Sequence, residues 1–265
     1  MSDKVIAVPT LGDFLLRAAN NWPDHDALVF PDSRQTYAEL TERSYARARS
    51  LLALGIGAGD HVGILMPNCP EYLELIFATA LIGGVSVPIS DRYKARELAY
   101  VIANADLGIL LTTDIVSEFT DFAGLLQAAL PGLEGATDPT ALALSNAPKL
   151  KSVIMMGESS PAGFLNRVDF EGIEGKATLS DVDALRIRTR LRDICMLNYT
   201  SGTTANPKGC ILTHEAVVRN GMTITRARWN LSENDRIWDP LPIFHMSLFM
   251  PILAAMDSGA AVLTM

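Results

Sequence analysis

Apolar positions along the chain fall into alternating helical and strand patterns, as a parallel or mixed sheet covered by helices produces. Thr36 followed by Glu39 forms a capping box. It opens a helix that places Leu40, Ala48, Leu51 and Leu52 on one face, with Gly55 as its stop. A short apolar strand is predicted over His61 to Met66. Asn68, with Glu71 three residues on and Pro70 in the first turn, opens the next helix. Gly83-Gly84 ends that helix, and Val85 to Ile89 reads as a second strand. A helix around Ala95 to Ala103, a strand over Leu107 to Leu111 and a helical stretch to about Leu130 follow. Residues 131–190 are rich in Gly, Pro, Ser and Asp and hold one strand-like run, Ser152 to Met156. They read as a loop-rich junction between two subdomains. Ile194 to Tyr199 is predicted as a strand, followed by a glycine–threonine loop and a helix from about Thr213 to Thr225.

The run from Gly259 to Met265 is apolar and β-prone, of the kind found inside a parallel sheet. Such a strand needs a covering connection, whereas domains usually end in a polar tail. The chain is therefore expected to be a fragment whose last strand leaves an apolar edge.

Composition narrows the class. The 265 residues suffice for one large domain or two small ones, and 49% hydrophobic with 20% charged residues excludes disorder. The net charge of −8, from 30 acidic and 22 basic side chains, argues against a nucleic-acid partner. Cys69, Cys195 and Cys210 are odd in number, far apart and outside any C-x-x-C. They write neither a disulfide framework nor a zinc site, and a reducing cytoplasm is expected. Met1 to Thr10 is too weakly apolar for a signal peptide. The uncharged run Leu75 to Ile89 is broken by Gly83-Gly84 and carries Pro88, so no membrane span is expected.

The strongest chemical signal is the stretch Tyr199 to Gly209, Y-T-S-G-T-T-A-N-P-K-G. It puts four hydroxyls in five residues, two glycines and Lys208 between the predicted strand and helix. Glycine lets successive backbone N–H groups turn to one side as an anion nest, hydroxyls add donors and lysine adds a point charge, a set that suits a polyphosphate. Composition alone equally allows an ordinary polar loop with a proline turn. Walker A does not fit, because Lys208 precedes Gly209 and no hydroxyl follows. Gly55 to Gly59 has the wrong spacing for a dinucleotide fingerprint. The serine-hydrolase elbow G-x-S-x-G also fails, since Tyr199 stands at its first glycine.

Thr200 to Gly209 resembles the T-S-G-T-T-G-x-P-K-G signature of the AMP-forming acyl-CoA synthetases, the adenylate-forming superfamily that includes luciferases and peptide-synthetase adenylation domains. Nine of the signature's ten positions are fixed, and Ala205 is the only departure from them. Thr36 to Leu40 resembles the family's T-Y-x-E-L, and Gly59 to Val62 with Asn68 its G-D-x-V…N stretch. Val85 to Pro88 resembles its G-x-V-x-P strand, and Pro240 to His245 its P-x-F-H element. The resemblance implies an α/β fold of mixed and parallel sheets layered with helices. Residues 1–265 would be the incomplete N-terminal part of the large AMP-binding (adenylation) domain, without the C-terminal small domain. It implies ATP-dependent activation of a fatty or other acyl acid to acyl-AMP with release of pyrophosphate, then thioester formation with CoA. The alternative is a non-catalytic nucleotide- or acyl-binding fragment of the same fold.

By the same resemblance Thr200, Ser201, Gly202, Thr203, Thr204 and Lys208 would hold the β- and γ-phosphates, Pro207 would fix the loop's exit and Gly209 would allow tight passage onward. If Ala205 occupies a position needing positive φ, alanine costs about 1 kcal/mol there. His245 is the catalytic candidate, near the reacting carboxylate and α-phosphate; without the resemblance it reads as a satisfied, half-buried histidine. Phe244 and Met246 would border the acyl pocket, and Leu248 stands where the family often has glycine. The Mg²⁺ ligand is expected beyond residue 265, and no metal site is expected before it. His25, His61, Asp235 and Asp239 read as structural or turn residues, and His214 and Glu215 as a helix opening.

Overall fold

The structure is a computed structural model and describes residues 7–200 and 206–265. The chain begins with α1 (Leu11–Asn21), β1 (Asp26–Val29), β2 (Arg34–Thr36) and α2 (Tyr37–Ala53). The predicted capping box forms. The Thr36 hydroxyl accepts from the Glu39 N–H at 3.2 Å, and Glu39 Oε2 accepts from the Thr36 N–H at 2.8 Å. Gly55 follows the helix with φ +76°, the left-handed stop that glycine permits.

Next come β3 (His61–Leu65), α3 (Pro70–Leu81), β4 (Val85–Pro88), α4 (Ala95–Asn104), β5 (Ile109–Thr112) and α5 (Phe122–Ala129). The boundaries follow the hydrophobic pattern closely, with one difference. Cys69, not Asn68, is the N-cap residue of α3 and makes no side-chain cap bond, while the Asn68 side chain is engaged elsewhere. Residues 131–190 hold more regular structure than their composition suggests: β6 (Ser152–Met155), β7 (Leu165–Asn166), α6 (Arg167–Gly172) and α7 (Leu179–Arg186). Apart from β6, these elements span two to eight residues, too few to show a period, and Asn166 and Thr178 cap the two helices.

The chain then runs through β8 (Ile194–Thr200), β9 (Lys208–Thr213), α8 (His214–Thr223), β10 (Arg236–Trp238), α9 (Met246–Ser258) and β11 (Ala261–Leu263). A π-helical turn, Ile224–Trp229, continues α8 and ends at Asn230 with φ +49°. The expected helix is α8, but the expected loop before it holds a second strand, so β8 and β9 form a hairpin ahead of the helix. β9 escaped the sequence pattern because it is an edge strand, mostly exposed, so no buried alternation marks it.

Two sheets result. The larger has the order β7-β6-β5-β3-β4-β8-β9, with every neighbouring pair parallel except β8–β9. The smaller has the order β10-β11-β1-β2. The apolar edge expected at the C-terminal run is therefore absent. β11 is an inner strand, with Val262 opposite Leu28 on one side and Ile237 on the other.

One apolar cluster runs from Val62 and Ile64 of the large sheet, through Phe14 of α1, Phe77 of α3 and Phe249 of α9, to Leu28 and Val262 of the small sheet. A second cluster, with Val87, Leu110 and Val153, covers the opposite face of the large sheet beneath α4 and α5. Leu110 points one way and Ile109 and Leu111 the other, the period of two that a doubly covered strand requires. A buried carboxylate also lies on α3. Glu74 is fully buried, accepts from Arg47 Nε at 3.2 Å and from Gln35 at 2.9 Å, and Arg47 continues to Glu171 of α6. Among the described residues no helix is long and apolar enough to cross a membrane.

Candidate functional site

The hairpin of β8 and β9 sets the site's geometry. Its pairing runs from Leu197 opposite Ile211 through Asn198 opposite Cys210 and Tyr199 opposite Gly209 to Thr200 opposite Lys208. Directly opposed residues of an antiparallel pair share a face, and alternate residues along a strand do too. Thr200, Lys208 and Asn198 therefore lie on one face. Tyr199 and Leu197 lie on the other, packed against the α4–α5 cluster.

Ser201, Gly202, Thr203, Thr204 and Ala205 lie outside the described residues. At the loop's exit Pro207 is buried, while Lys208 is exposed. The Thr200 hydroxyl reaches the Lys208 carbonyl at 3.5 Å. A Cβ on Gly209 would come within 2.9 Å of Leu197 Cδ1 and 3.4 Å of the Tyr199 ring, so glycine here serves a close cross-strand approach. The Tyr199 hydroxyl donates to Asn104 Oδ1 of α4 at 2.7 Å, and burial pushes its pKa up to about 12, which keeps it a neutral donor.

The second part of the site is the segment from Asp239 to His245, between β10 and α9. The Asp239 N–H donates to the Leu263 carbonyl at 3.0 Å, and the Asp239 carboxylate accepts from the Leu241 N–H at 2.9 Å, the turn role expected of it. Asn68, just past the carboxyl end of β3, then clamps the segment. Its Oδ1 accepts from the Ile243 N–H at 2.8 Å, and its Nδ2 donates to the Leu241 carbonyl at 2.9 Å and to Thr264 Oγ1 at 3.0 Å. Asn198 closes the arrangement by donating from Nδ2 to the Phe244 carbonyl at 3.4 Å.

His245 is exposed and is the N-cap of α9. Its Nδ1 accepts from the Ser247 N–H at 3.1 Å, so in the neutral ring the proton sits on Nε2. The imidazole thus offers a donor at the positive end of a 13-residue helix. Phe244 and Met246 are half-buried against the apolar cluster, and Leu248 is fully buried in it.

The structure thus brings Thr200, Lys208, Phe244 and His245 to the carboxyl ends of the strands, where open α/β sheets bind ligands. The cavities of 150 to 770 Å³ that open elsewhere have other linings. Asn68, Asn198 and Thr264 act in a way that sequence reasoning missed. Their shared signal is a polar residue at or just past the carboxyl end of an apolar strand run. His214, the first residue of α8, is buried. Its Nδ1 accepts from the Leu11 N–H at 3.0 Å, and burial pushes its pKa down to about 4. His25 and His61 each meet a backbone carbonyl, Gly259 and Ala105 respectively, and Asp235 caps the Ser232 turn. Among the described residues no group of three His, Cys, Asp or Glu side chains could hold a metal ion.

The family model for AMP-binding enzymes matches residues 15–265, and the chain belongs to that family. YngI of Bacillus subtilis (strain 168), provisionally named an acyl-CoA synthetase, is 34% identical over 257 residues, covering 96% of this chain and 46% of its own length. The acyl-CoA ligase sidI of Aspergillus fumigatus is 32% identical over 258 residues, covering 96% of this chain and 42% of its own. The inhibitor-bound N-terminal domain of FACL13 from Mycobacterium tuberculosis superposes with a TM-score of 0.76 at 25% identity, over 97% of this chain and 57% of that one. The chain thus spans less than half the length of these two curated relatives.

Proposed function

We propose that residues 1–265 are the N-terminal part of the adenylation domain of a longer acid–thiol ligase, which activates a carboxylic acid with ATP and passes the acyl group to CoA. In the first step a carboxylate oxygen attacks the α-phosphorus, the bond to the β-phosphate oxygen breaks, and acyl-AMP and pyrophosphate form. In the second the CoA sulfur attacks the acyl carbon, AMP leaves and the thiol gives up its proton. The obstacle to the first step is charge, because an anion must approach a polyanion.

Thr200 and Lys208, with Ser201, Gly202, Thr203 and Thr204 between them, would hold the β- and γ-phosphates and neutralise the departing pyrophosphate. The Nε2–H of His245 would donate to the carboxylate or to an α-phosphate oxygen, with Phe244 and Met246 beside the acyl group. Among the described residues no group of three His, Cys, Asp or Glu side chains could hold Mg²⁺, whose ligand is expected beyond residue 265. Three free thiols, two of them buried, support a reducing cytoplasmic setting.

One observation carries the reading. The hairpin face bearing Thr200 and Lys208 is tied through Asn198 to the segment that presents His245. The full-length protein is predicted to exchange labelled pyrophosphate into ATP only when its acid is present. No exchange across a broad panel of fatty, aryl and carnitine-type acids would favour a non-catalytic binding role.

A further inference from the structure

Four arginines, Arg186, Arg188, Arg190 and Arg192, occupy alternate positions from the last residue of α7 toward β8 in a chain of net charge −8. Arg186 is paired with Asp13 and Asp183. The other three are exposed, and no carboxylate among the described residues lies within ion-pair distance of them. Arg188 and Arg192 stand on the lip of a hollow of about 650 Å³ at the amino ends of β3, β4 and β8. Ala58, Val85, Leu185 and Ile194 supply its apolar lining, and Ile194 is 38% exposed. Asp193 also lines it, but its carboxylate is turned to the Arg190 N–H at 2.7 Å. Thr189 sits over Gly83, where an added Cβ would meet its hydroxyl at 2.9 Å.

A hollow lined by apolar side chains and two forked cations suits a molecule with an apolar tail and an anionic head. We propose that this hollow binds a phosphate-headed amphiphile, its chain on the apolar floor and its head between Arg188 and Arg192, with Arg190 adding to the local potential. Guanidinium forks match phosphate oxygens bidentately, and an apolar tail gains from leaving water. β8 runs from this hollow to the hairpin loop, and at about 3.3 Å per residue its length separates the two by about 20 Å. Occupancy therefore leaves the carboxyl-end site free.

Titration of this chain with decyl phosphate below its micelle concentration, read by calorimetry, tests the assignment. Saturable binding is expected, with inorganic phosphate and decanol each at least tenfold weaker. Arg188→Gln/Arg192→Gln should weaken it tenfold or more. Ala58→Phe, which fills the floor from an exposed position without changing charge, should do the same. Equal binding of inorganic phosphate, or no loss in either variant, would overturn the proposal. Vesicles containing phosphatidate separate the sources. Binding to both vesicles and decyl phosphate, lost in the same variants, would show that the head group of a bilayer lipid can enter the hollow. Binding to vesicles alone would overturn the hollow as the site and make the arginines a peripheral membrane contact.

Discussion

Removing the Asn68 side chain should loosen the segment that presents His245. In Asn68→Ala the buried Ile243 N–H loses its acceptor at 2.8 Å, and the buried Thr264 hydroxyl loses a donor at 3.0 Å. The Leu241 carbonyl loses its bond at 2.9 Å but belongs to an exposed residue that water can reach. Leaving a buried donor unpaired costs about 1–3 kcal/mol, and a lost net hydrogen bond about 0.5–1.5 kcal/mol. The first two terms dominate, so the substitution should cost about 2–4 kcal/mol in urea unfolding. Amide exchange at Ile243 should rise at the same time. Asn68→Asp keeps an acceptor for Ile243 but turns an oxygen toward the Leu241 carbonyl, so it should restore protection at Ile243 without restoring full stability. A cost for Asn68→Ala below about 0.5 kcal/mol, with Ile243 exchange unchanged, would refute the clamp.

His214 makes stability depend on pH. Its folded pKa of about 4 lies below the ordinary 6.5, so the unfolded chain binds the proton first, and stability is full above pH 6.5 and lost as pH falls toward 4. Between pH 7.5 and pH 5 this amounts to about 2 kcal/mol. His214→Asn, which keeps an acceptor for Leu11, should remove that component from urea unfolding curves. Arg47→Leu leaves Glu74 fully buried with only Gln35 and a longer contact to Arg43, at 3.6 Å. It should cost about 3–5 kcal/mol, more than the double variant Arg47→Leu/Glu74→Leu, as paired denaturation curves would show. Lys208→Ala should slow acyl-AMP formation by about 2–3 kcal/mol and leave thioester formation from supplied acyl-AMP largely intact, since pyrophosphate has gone by then. Equal damage to both half-reactions would give the lysine a folding role instead.

Most of residues 36–130 is legible because the elements there are long enough, or apolar enough, to carry their own period or cap, whereas α1, β1 and β2 before them gave no such reading. The capping box at Thr36 and the inner strands beginning at His61 and Val85 are of this kind. Legibility failed where elements were short or on an edge. β7 spans two residues, and β9 buries little, so neither shows a period. The run at Ala261 was read correctly as a buried strand. Its pairing between β1 and the strand-like run at Ile237-Trp238 is not written in the sequence, and the edge inferred from it does not exist. For the site, Thr200 and Lys208 stand out by residue type and spacing, whereas His245 is a candidate only through the family resemblance. Asn68 was visible too, but as a helix opener. Only the three-dimensional pairing shows its amide spanning 173 residues to the Leu241 carbonyl.

The central claim is that a carboxylate attacks the α-phosphorus at this site, and oxygen labelling tests it most directly. The full-length protein is supplied with ATP, CoA and its acid labelled with ¹⁸O in the carboxylate, and the AMP is examined by mass spectrometry. Acyl-AMP formation predicts one labelled oxygen in every AMP and one retained in the thioester. AMP without label, or label in phosphate released from the γ position, would show that the acid is activated by another route and contradict the account.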